Sequence, residues 1–407
     1  MIFRSAHDSA IHRISSTHKR GFIRLAGFRS SSRLLILTLG LIAIQATQAA
    51  APPIPPPPIV KARSYLLEDF DSGRIIVDHN MDERIEPASL TKLMTAYIVY
   101  SELKDGRIKI SDMVTISKKA WSTGGSKMFI EVNTKVSVEN LLKGMIIQSG
   151  NDASIALAEY AAGSEDAFAA LMNQYAERLG MKHTHFVNAT GLPDPDHYTT
   201  AHDLGILARA LIHDYPEHYA WYSQHKFRYN GIEQYNRNKL LWRDPSVDGL
   251  KTGHTESAGY CLVASAKQGE MRLISVVLGA KSEDARANES RKLLNYGFRF
   301  YETQKLYAAG QTVTSPQIWK GDAKTIPLGL KSDLYVTIPH QQYQNLKASM
   351  NISAPIIAPV RKNEPLGNMK VALDGDTVAE RPLYALHNVA EGSLSSRLVD
   401  EIKLMFQ

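Results

Sequence analysis

The sequence predicts an α/β (α+β) fold, with an antiparallel sheet flanked by helices and a small all-β domain after it. Two strand pairs, over 64–77 and 260–278, enclose a run of helical patterns, so strands from both ends can join one sheet while the helices pack on it. After residue 304 only short β-rich pieces recur. At 407 residues the chain is long enough for two domains.

Each element has its own signal. Apolar runs around polar, glycine-containing turns predict strands at 64–70 with 75–77 and at 260–266 with 271–278. Apolar residues at helical spacing predict helices over 87–103, 138–147, 152–162, 164–179, 201–213 and 288–301. Ser164 and Gly180 are the expected caps of the fourth helix. The β-rich part contains predicted strands at 334–338, 353–360 and 370–373.

The positive charge lies at one end of the chain. The whole sequence has 47 basic and 41 acidic residues, a net charge of +6. Residues 1–51 contain seven basic residues and only Asp8 as an acid, which leaves 40 of each sign in 52–407. Because the body has no net charge, its composition gives no support to a nucleic-acid partner.

The basic segment begins an export signal. It precedes an uncharged apolar run at 34–44 and small residues at 46–51, the pattern of a secretory signal peptide over 1–51. The apolar run is too short for a membrane span, which needs about 20 residues. Residues 52–60 form a Pro-rich linker, expected to be a stiff spacer. The single cysteine, Cys261, lies in an apolar strand pattern and is expected to be a buried hydrophobe.

Ser89 and Lys92 form the first candidate catalytic pattern. Residues three apart on a helix project from the same face. A serine hydroxyl becomes a nucleophile when a base takes its proton, and a lysine serves as that base only when neutral. Burial or a nearby cation favours the neutral amine. The pattern alone is weak evidence, since it recurs at 16–19, 101–104 and 223–226.

Two further patterns follow in the chain. Ser149 and Asn151 lie between two predicted helices, where they either face a substrate or cap a helix. Lys251 and Thr252 are followed by Gly253, just before a predicted strand. The Lys251 ammonium and the Thr252 hydroxyl can bind a carboxylate, and Gly253 lets a substrate approach the backbone. The alternative for this triplet is a turn that enters the strand.

The three patterns in this order, about 60 and 100 residues apart, resemble the active-serine signature of β-lactam-recognising enzymes. The segments at 148–153 (QSGNDA), 248–255 (DGLKTGHT) and 293–303 (LLNYGFRFYET) resemble the D-alanyl-D-alanine carboxypeptidases among the low-molecular-mass penicillin-binding proteins. The resemblance covers roughly residues 61–407. It implies a DD-peptidase/β-lactamase-like sandwich at 61–303, a β-rich domain at 304–390 and an amphipathic C-terminal helix at 391–407.

The resemblance also implies roles for matching residues. Ser89 would attack the carbonyl between the two terminal D-alanines of a peptidoglycan stem peptide and form an acyl-enzyme. Lys92 would be its general base. Ser149 and Lys251 would pass the proton to the departing D-alanine. Asn151 would bind the peptide amide beside the scissile bond.

The remaining implied roles concern the ends of the substrate. Lys251, Thr252 and Arg286 would bind its terminal carboxylate, although 281–290 matches the family only loosely and Arg286 is alternatively a solvated charge at a helix start. The backbone N–H groups of Ser89 and His254 would bind the oxyanion. β-Lactam antibiotics would acylate Ser89 and leave slowly. No cofactor and no metal is expected, because His183 and His185 are an isolated pair.

Other functions use similar residues. A D,D-endopeptidase that cuts cross-links would need the same set, and a non-catalytic penicillin-sensing or wall-binding protein could keep the fold. A class A β-lactamase needs a carboxylate for deacylation, and Asp196, Asp203 and Glu217 lack its sequence context. With the export signal, the family resemblance predicts a protein in the periplasm or on the outer face of the cytoplasmic membrane. Apolar residues at helical spacing over 393–407 predict a helix that either lies on a membrane surface or packs on its own domain.

Overall fold

The computed structural model describes residues 54–406, so the predicted signal peptide lies outside the described residues. The strands are β1 (Ser64–Asp69), β2 (Ile75–His79), β3 (Met113–Thr115), β4 (Lys135–Ser137), β5 (Lys226–Tyr229), β6 (Ile232–Tyr235), β7 (Val247–Thr255), β8 (Gly259–Gln268), β9 (Met271–Ala280), β10 (Tyr301–Tyr307), β11 (Thr312–Thr314), β12 (Ile318–Trp319), β13 (Leu328–Gly329), β14 (Leu334–Pro339), β15 (Leu346–Ile352), β16 (Ile356–Ile357), β17 (Pro365–Leu373) and β18 (Asp376–Ala385). The helices are α1 (Lys92–Lys104), α2 (Lys118–Ser122), α3 (Val138–Lys143), α4 (Asn151–Ala162), α5 (Glu165–Leu179), α6 (Ala201–Asp214), α7 (Pro216–Tyr219), α8 (Leu240–Arg243), α9 (Glu283–Phe300) and α10 (Leu394–Leu404). Across residues 54–406, no helix is long and apolar enough to cross a membrane.

The central sheet contains five antiparallel strands in the order β2-β1-β9-β8-β7. Leu66 in β1 lies opposite Val276 in β9, which confirms that strands from both ends of this part share one sheet. β8 and β9 are apolar runs buried on both faces, as expected for strands covered on two sides. β7 is an edge strand, so one side of its backbone is not paired within this sheet.

Helices cover both faces of the sheet. One core cluster joins the sheet to α1, α4, α5 and α6, with Leu93, Leu157 and Val263 among its buried members. The other joins the opposite face to α9, where Leu293 belongs to the same cluster as Leu262. This arrangement confirms the predicted fold class, a sheet flanked by helices.

Most predicted helices are present, with two changes at their ends. α5 has the expected caps, since the Ser164 hydroxyl accepts from Ala167 N and Gly180 is left-handed. For the helix predicted over 288–301, the start at 288 is wrong. α9 begins at Glu283, where Ser282 is the N-cap, and its first turn carries charged residues that obscure the apolar period. The helix predicted over 138–147 ends at Lys143 and continues as one wide turn through residue 148.

The C-terminal part is β-rich. β11, β13, β18, β17 and β15 form a second five-stranded sheet over its own apolar core. The predicted strand at 353–360 is mostly wrong. Within it only Ile356–Ile357 forms a strand, and Val360 makes an isolated bridge to Val389, because Pro355 and Pro359 have no N–H to donate. β10 pairs with β14, and Thr303 on β10 donates to the Asp69 carboxylate in the first sheet at 2.6 Å.

The described part of the Pro-rich segment lies against the fold. The Tyr296 hydroxyl on α9 donates to the Pro55 carbonyl oxygen at 3.0 Å. Ile54 packs against the apolar cluster beneath α9, and Val60 belongs to it. A stiff spacer between the export signal and the fold was expected here, and the segment from Ile54 onward is in contact with the body.

Candidate active site

Ser89 lies on a tight 3-10 turn, Ala88–Thr91, that leads directly into α1. Ala88 is left-handed, with φ of 48°, so the chain bends sharply just before the serine. Two glycines pack so closely on this turn that a Cβ at either position would crowd its backbone. A Cβ on Gly191 would lie 1.7 Å from the Ala88 carbonyl oxygen, and one on Gly253 would lie 3.1 Å from that of Pro87. The serine is therefore held between the edge strand β7 and the segment around Gly191.

Lys92 is buried, and its ammonium nitrogen has three oxygen partners. Lys92 Nζ lies 3.0 Å from Ser89 Oγ, 2.7 Å from Asn151 Oδ1 and 2.5 Å from the Thr190 carbonyl oxygen. Burial, followed by the positive charge of Arg237, lowers the pKa of Lys92 to about 7. The structure therefore brings together the serine and a lysine that is neutral for a large fraction of the time near pH 7.

Ser149 and Asn151 stand at the start of α4 and face the site. Ser149 is left-handed, with φ of 67°, and its buried hydroxyl makes no hydrogen bond within residues 54–406. The Asn151 amide accepts from Lys92 Nζ and donates to the Gly124 carbonyl oxygen at 2.7 Å. The N-cap position belongs to Gly150, with no side-chain cap, so the helix-cap interpretation is wrong.

Lys251 and Thr252 lie inside β7 and are buried. The alternative of a turn before the strand is therefore wrong, since the strand begins at Val247. Lys251 Nζ donates to the Thr252 carbonyl oxygen at 2.9 Å. Burial, then the charges of Lys92 and Arg237, lower the pKa of Lys251 well below its ordinary value.

His254 lies near the end of β7, and Arg286 on α9 contacts the same part of that strand. His254 is exposed, and its ring centre is 4.0 Å from that of Tyr260. Arg286 reaches β7 from α9, where Nη1 donates to the Gly253 carbonyl oxygen at 3.0 Å and the guanidinium lies over Tyr260. Because Arg286 is only 4% exposed, its interpretation as a solvated charge at a helix start is wrong.

The sequence that builds this site matches a known family, and the match extends along most of the chain. The family model described as D-alanyl-D-alanine carboxypeptidase matches residues 47–282. The chain belongs to the D-alanyl-D-alanine carboxypeptidase family. A second family model, described as penicillin-binding protein 5, C-terminal domain, matches residues 301–391. The resemblance predicted from the sequence is confirmed, and the chain is a hydrolase of this serine peptidase family.

Individual members of the family show the same similarity. D-alanyl-D-alanine carboxypeptidase DacA of Escherichia coli (strain K12) is 45% identical over 361 residues, which are 87% of this chain and 90% of that protein. Penicillin binding protein 5 from Haemophilus influenzae has a TM-score of 0.81 at 43% identity, over 83% of this chain and 100% of that one. Penicillin-binding protein D2 from Listeria monocytogenes, solved in the ampicillin bound form, has a TM-score of 0.56 at 30% identity, over 60% and 100%.

Sequence reasoning missed two contributors to this carboxypeptidase site. Arg237 precedes α8, and its Nε donates to the Gln148 carbonyl oxygen at 3.1 Å, which places its charge beside both lysines. Thr190 contributes only a backbone carbonyl. No local pattern could have identified either, because an isolated arginine and a main-chain oxygen carry no spacing signal.

Two other candidate patterns in residues 54–406 lie outside the site, whereas the repeat at 16–19 falls outside the described residues. In the repeat at 101–104, the Ser101 hydroxyl is paired with Tyr175 Oη at 2.9 Å. The His185 ring contacts the Asp196 carbonyl oxygen, and residues 54–406 contain no group of three ligands that could hold a metal. Cys261 is fully buried in β8, as predicted.

Proposed function

We propose that the chain removes the terminal D-alanine from peptidoglycan stem peptides, with Ser89 as the nucleophile and Lys92 as its base. The observation that carries this proposal is the set of contacts around Lys92 Nζ. A neutral amine has two N–H groups and one lone pair. Asn151 Oδ1 and the Thr190 carbonyl can only accept, so they take the two N–H groups and leave the lone pair for the Ser89 hydroxyl proton.

The acylation step follows from this arrangement. Ser89 Oγ attacks the carbonyl carbon between the two D-alanines while its proton passes to Lys92 Nζ. The oxyanion forms between the backbone N–H groups of Ser89 and His254, which lie on the two elements that meet at Gly253. The C–N bond breaks as the leaving amine receives a proton through Ser149 and Lys251. Water then hydrolyses the ester and releases the shortened peptide.

Binding of the terminal carboxylate is local. Because the body of the chain has equal numbers of acids and bases, we assign the attraction to groups in the site itself, namely Lys251, Thr252 and Arg286. Lys251 is buried with a lowered pKa, and a bound carboxylate would shift it back toward the charged form. An anionic substrate therefore completes the ion pair in a pocket where an isolated ammonium is disfavoured.

β-Lactam antibiotics are proposed to acylate the same serine. The Listeria monocytogenes relative is described in an ampicillin bound form, and it shares the fold at 30% identity. The acyl-enzyme would be the observable product. Its slow hydrolysis makes a labelled penicillin the most direct probe of Ser89.

The first experiment compares wild type with Ser89→Ala and with Ser101→Ala, which changes the serine of the unrelated Ser-x-x-Lys pattern on α1. Wild type and Ser101→Ala should bind labelled penicillin covalently and release D-alanine from a pentapeptide. Ser89→Ala should do neither. Absence of both activities in wild type, or their persistence in Ser89→Ala, would refute the proposal.

The same assay separates the two hydrolytic alternatives. A cross-linked peptide dimer is offered beside the pentapeptide, at equal concentration. We expect release of D-alanine to be faster than cleavage of the cross-link. Faster cleavage of the dimer would instead identify a D,D-endopeptidase, and penicillin binding without either hydrolysis would identify a sensing protein.

We also propose that the protein is exported and rests on a membrane surface through α10. The polar side of this helix is attached to its own domain, since Asp400 accepts from Lys320 N at 2.8 Å and Glu401 pairs with Lys320. Apolar side chains on the helix and just after it are between 50% and 86% exposed: Leu394, Leu398, Val399, Ile402, Met405 and Phe406. Packing on its own domain therefore leaves these side chains uncovered, and a lipid surface is the proposed partner.

Vesicle binding tests this membrane contact. Because the body has no net charge, we expect the protein without residues 1–51 to sediment with uncharged phosphatidylcholine vesicles. Ile402→Glu should weaken this binding by about tenfold or more, because it removes an apolar contact and adds a charge. Ile232→Glu is the matched control, since Ile232 is also exposed but lies on the β5–β6 hairpin. Equal binding of both variants would refute the role of α10.

A further inference from the structure

Asp152, next to Asn151, is a fully buried carboxylate, and no basic side chain within residues 54–406 is bonded to it. Its partners are backbone N–H groups. Oδ1 accepts from Ala153 N at 2.9 Å and from Met128 N at 3.0 Å, and Oδ2 accepts from Phe129 N at 2.9 Å and, more weakly, from Ile130 N at 3.3 Å. A carboxylate that is satisfied in this way fixes the segment that supplies the donors.

That segment also orients the Asn151 amide. Just before Met128, the Gly124 carbonyl accepts from Asn151 Nδ2 at 2.7 Å, and the Ser126 carbonyl accepts from Asn151 N at 2.7 Å. The segment is held in a demanding shape, since Phe129 is left-handed with φ of 68°. Without a restraint, a residue in this conformation would tend to relax to the extended region.

We propose that Asp152 is a positioning residue for acylation, which fixes the 124–130 segment and through it the orientation of the Asn151 amide toward Lys92 and the substrate. This inference rests on the proposed function of Ser89 and Lys92. Asn151 Oδ1 is one of the two acceptors that direct the Lys92 lone pair to the serine. A rotated amide would present Nδ2 to Lys92 and remove that direction.

The charge of Asp152 gives a second, independent readout. The charged and titratable groups around Lys92 are Arg237, Lys251 and His197, with Asp152 on α4 as the negative one. Asp152 raises the pKa of Lys92, against the lowering by burial and Arg237. Removal of its charge should therefore lower the pKa of Lys92 further, and a residue that served only to hold the fold would not move this pKa.

The test measures acylation by labelled penicillin, from pH 5 to 9, in variants that comprise residues 52–407. Asp152→Asn should slow acylation by about tenfold or more and move the acidic limb of the profile to lower pH. Asp152→Glu keeps the charge but displaces the carboxylate, so it should slow acylation and leave the limb in place. Asp166→Asn is the matched control, because Asp166 is also the second residue of its helix, α5, but is exposed.

Each result decides the inference. The inference is overturned if Asp152→Asn folds, is acylated at a rate within about twofold of wild type and keeps the acidic limb of the pH profile in place. If Asp152→Asn does not fold, Asp152→Glu is the deciding variant. Acylation of Asp152→Glu at the wild-type rate would also overturn the inference. Loss of folding in both variants overturns it as well, because Asp152 would then be required for the fold and not for positioning. Failure of wild type to acylate would instead refute the proposed function itself.

Discussion

The Thr190 carbonyl oxygen lies 2.5 Å from Lys92 Nζ, and the residue after it, Gly191, packs directly on the turn that carries Ser89. One short stretch of backbone thus contacts both the base and the bend before the nucleophile. Because main-chain atoms make both contacts, a change of backbone conformation at residues 190–191 should displace both Lys92 and Ser89.

Gly191→Ala should destabilise the protein and abolish acylation. Its φ is +81°, which costs an alanine about 1–2 kcal/mol, and the new Cβ would clash with the Ala88 carbonyl oxygen, so we expect a loss of about 3 kcal/mol or more. Gly231→Ala is the control, since Gly231 has a similar φ of +76° but open space around it. Denaturant unfolding and penicillin labelling check both variants. Equal stability of the two would show that the contact with Ala88 does not matter.

Acylation should depend on a group that titrates near pH 7. Lys92 must be neutral to accept the Ser89 proton, and its pKa is lowered to about 7, so the rate should fall about tenfold per unit below that pH. Lys92→Arg cannot be neutral, and acylation should drop by about a hundredfold or more at every pH. Stopped-flow labelling with penicillin measures the profile. A flat profile from pH 5 to 8 would contradict the role of Lys92.

Arg237→Gln should move the same acidic limb to higher pH. The guanidinium charge lowers the pKa of Lys92 and of Lys251, so both lysines would hold their protons more tightly without it. Arg228→Gln removes an exposed arginine from β5 in the same region and should leave the profile unchanged. The shift expected for Arg237→Gln, to higher pH, is opposite to the shift expected for Asp152→Asn. If the acidic limbs of Arg237→Gln and Asp152→Asn moved in the same direction, this electrostatic account would be refuted.

His197 should make the protein less stable in acid. His197 Nδ1 accepts from Val187 N, so the neutral ring donates from Nε2 to the Thr91 hydroxyl. Burial lowers the pKa of His197 from 6.5 to about 4. Between these values the unfolded chain binds a proton that the folded chain does not, so stability present above pH 6.5 falls by about 3 kcal/mol as the pH drops to 4.

Urea unfolding at several pH values tests this. His197→Gln should show a flatter dependence between pH 6.5 and 4 than wild type. His213→Gln, at an exposed histidine near the end of α6, should keep the wild-type slope. An unchanged slope in His197→Gln would assign the acid sensitivity to other groups.

The sequence predicted the parts of the site that side-chain spacing encodes. Ser89 and Lys92 are close enough for their side chains to meet, and the third pattern lies on β7, which packs at Gly253 on the turn that carries Ser89. The site residues were reached through the family resemblance, and the structure places all of them around Ser89, at the head of α4 or along β7 and its contact with α9.

The remaining features depend on contacts that no local pattern reports. The Thr190 carbonyl and the Asp152 carboxylate act through main-chain groups, and Arg237 acts through charge across the fold. Element ends were also harder to predict. The start of α9 was missed because its first residues are charged, although Ser282 is an ordinary N-cap.

Cys261 is the only cysteine in the sequence, and it is buried in β8 with its pKa raised to about 11 by burial. Very little thiolate is then present at neutral pH, and no second cysteine exists for a disulfide. Folding therefore requires neither an oxidant nor a disulfide isomerase. The same native state should form in the reducing cytosol when residues 1–51 are deleted, because the fold does not depend on the redox state of its compartment.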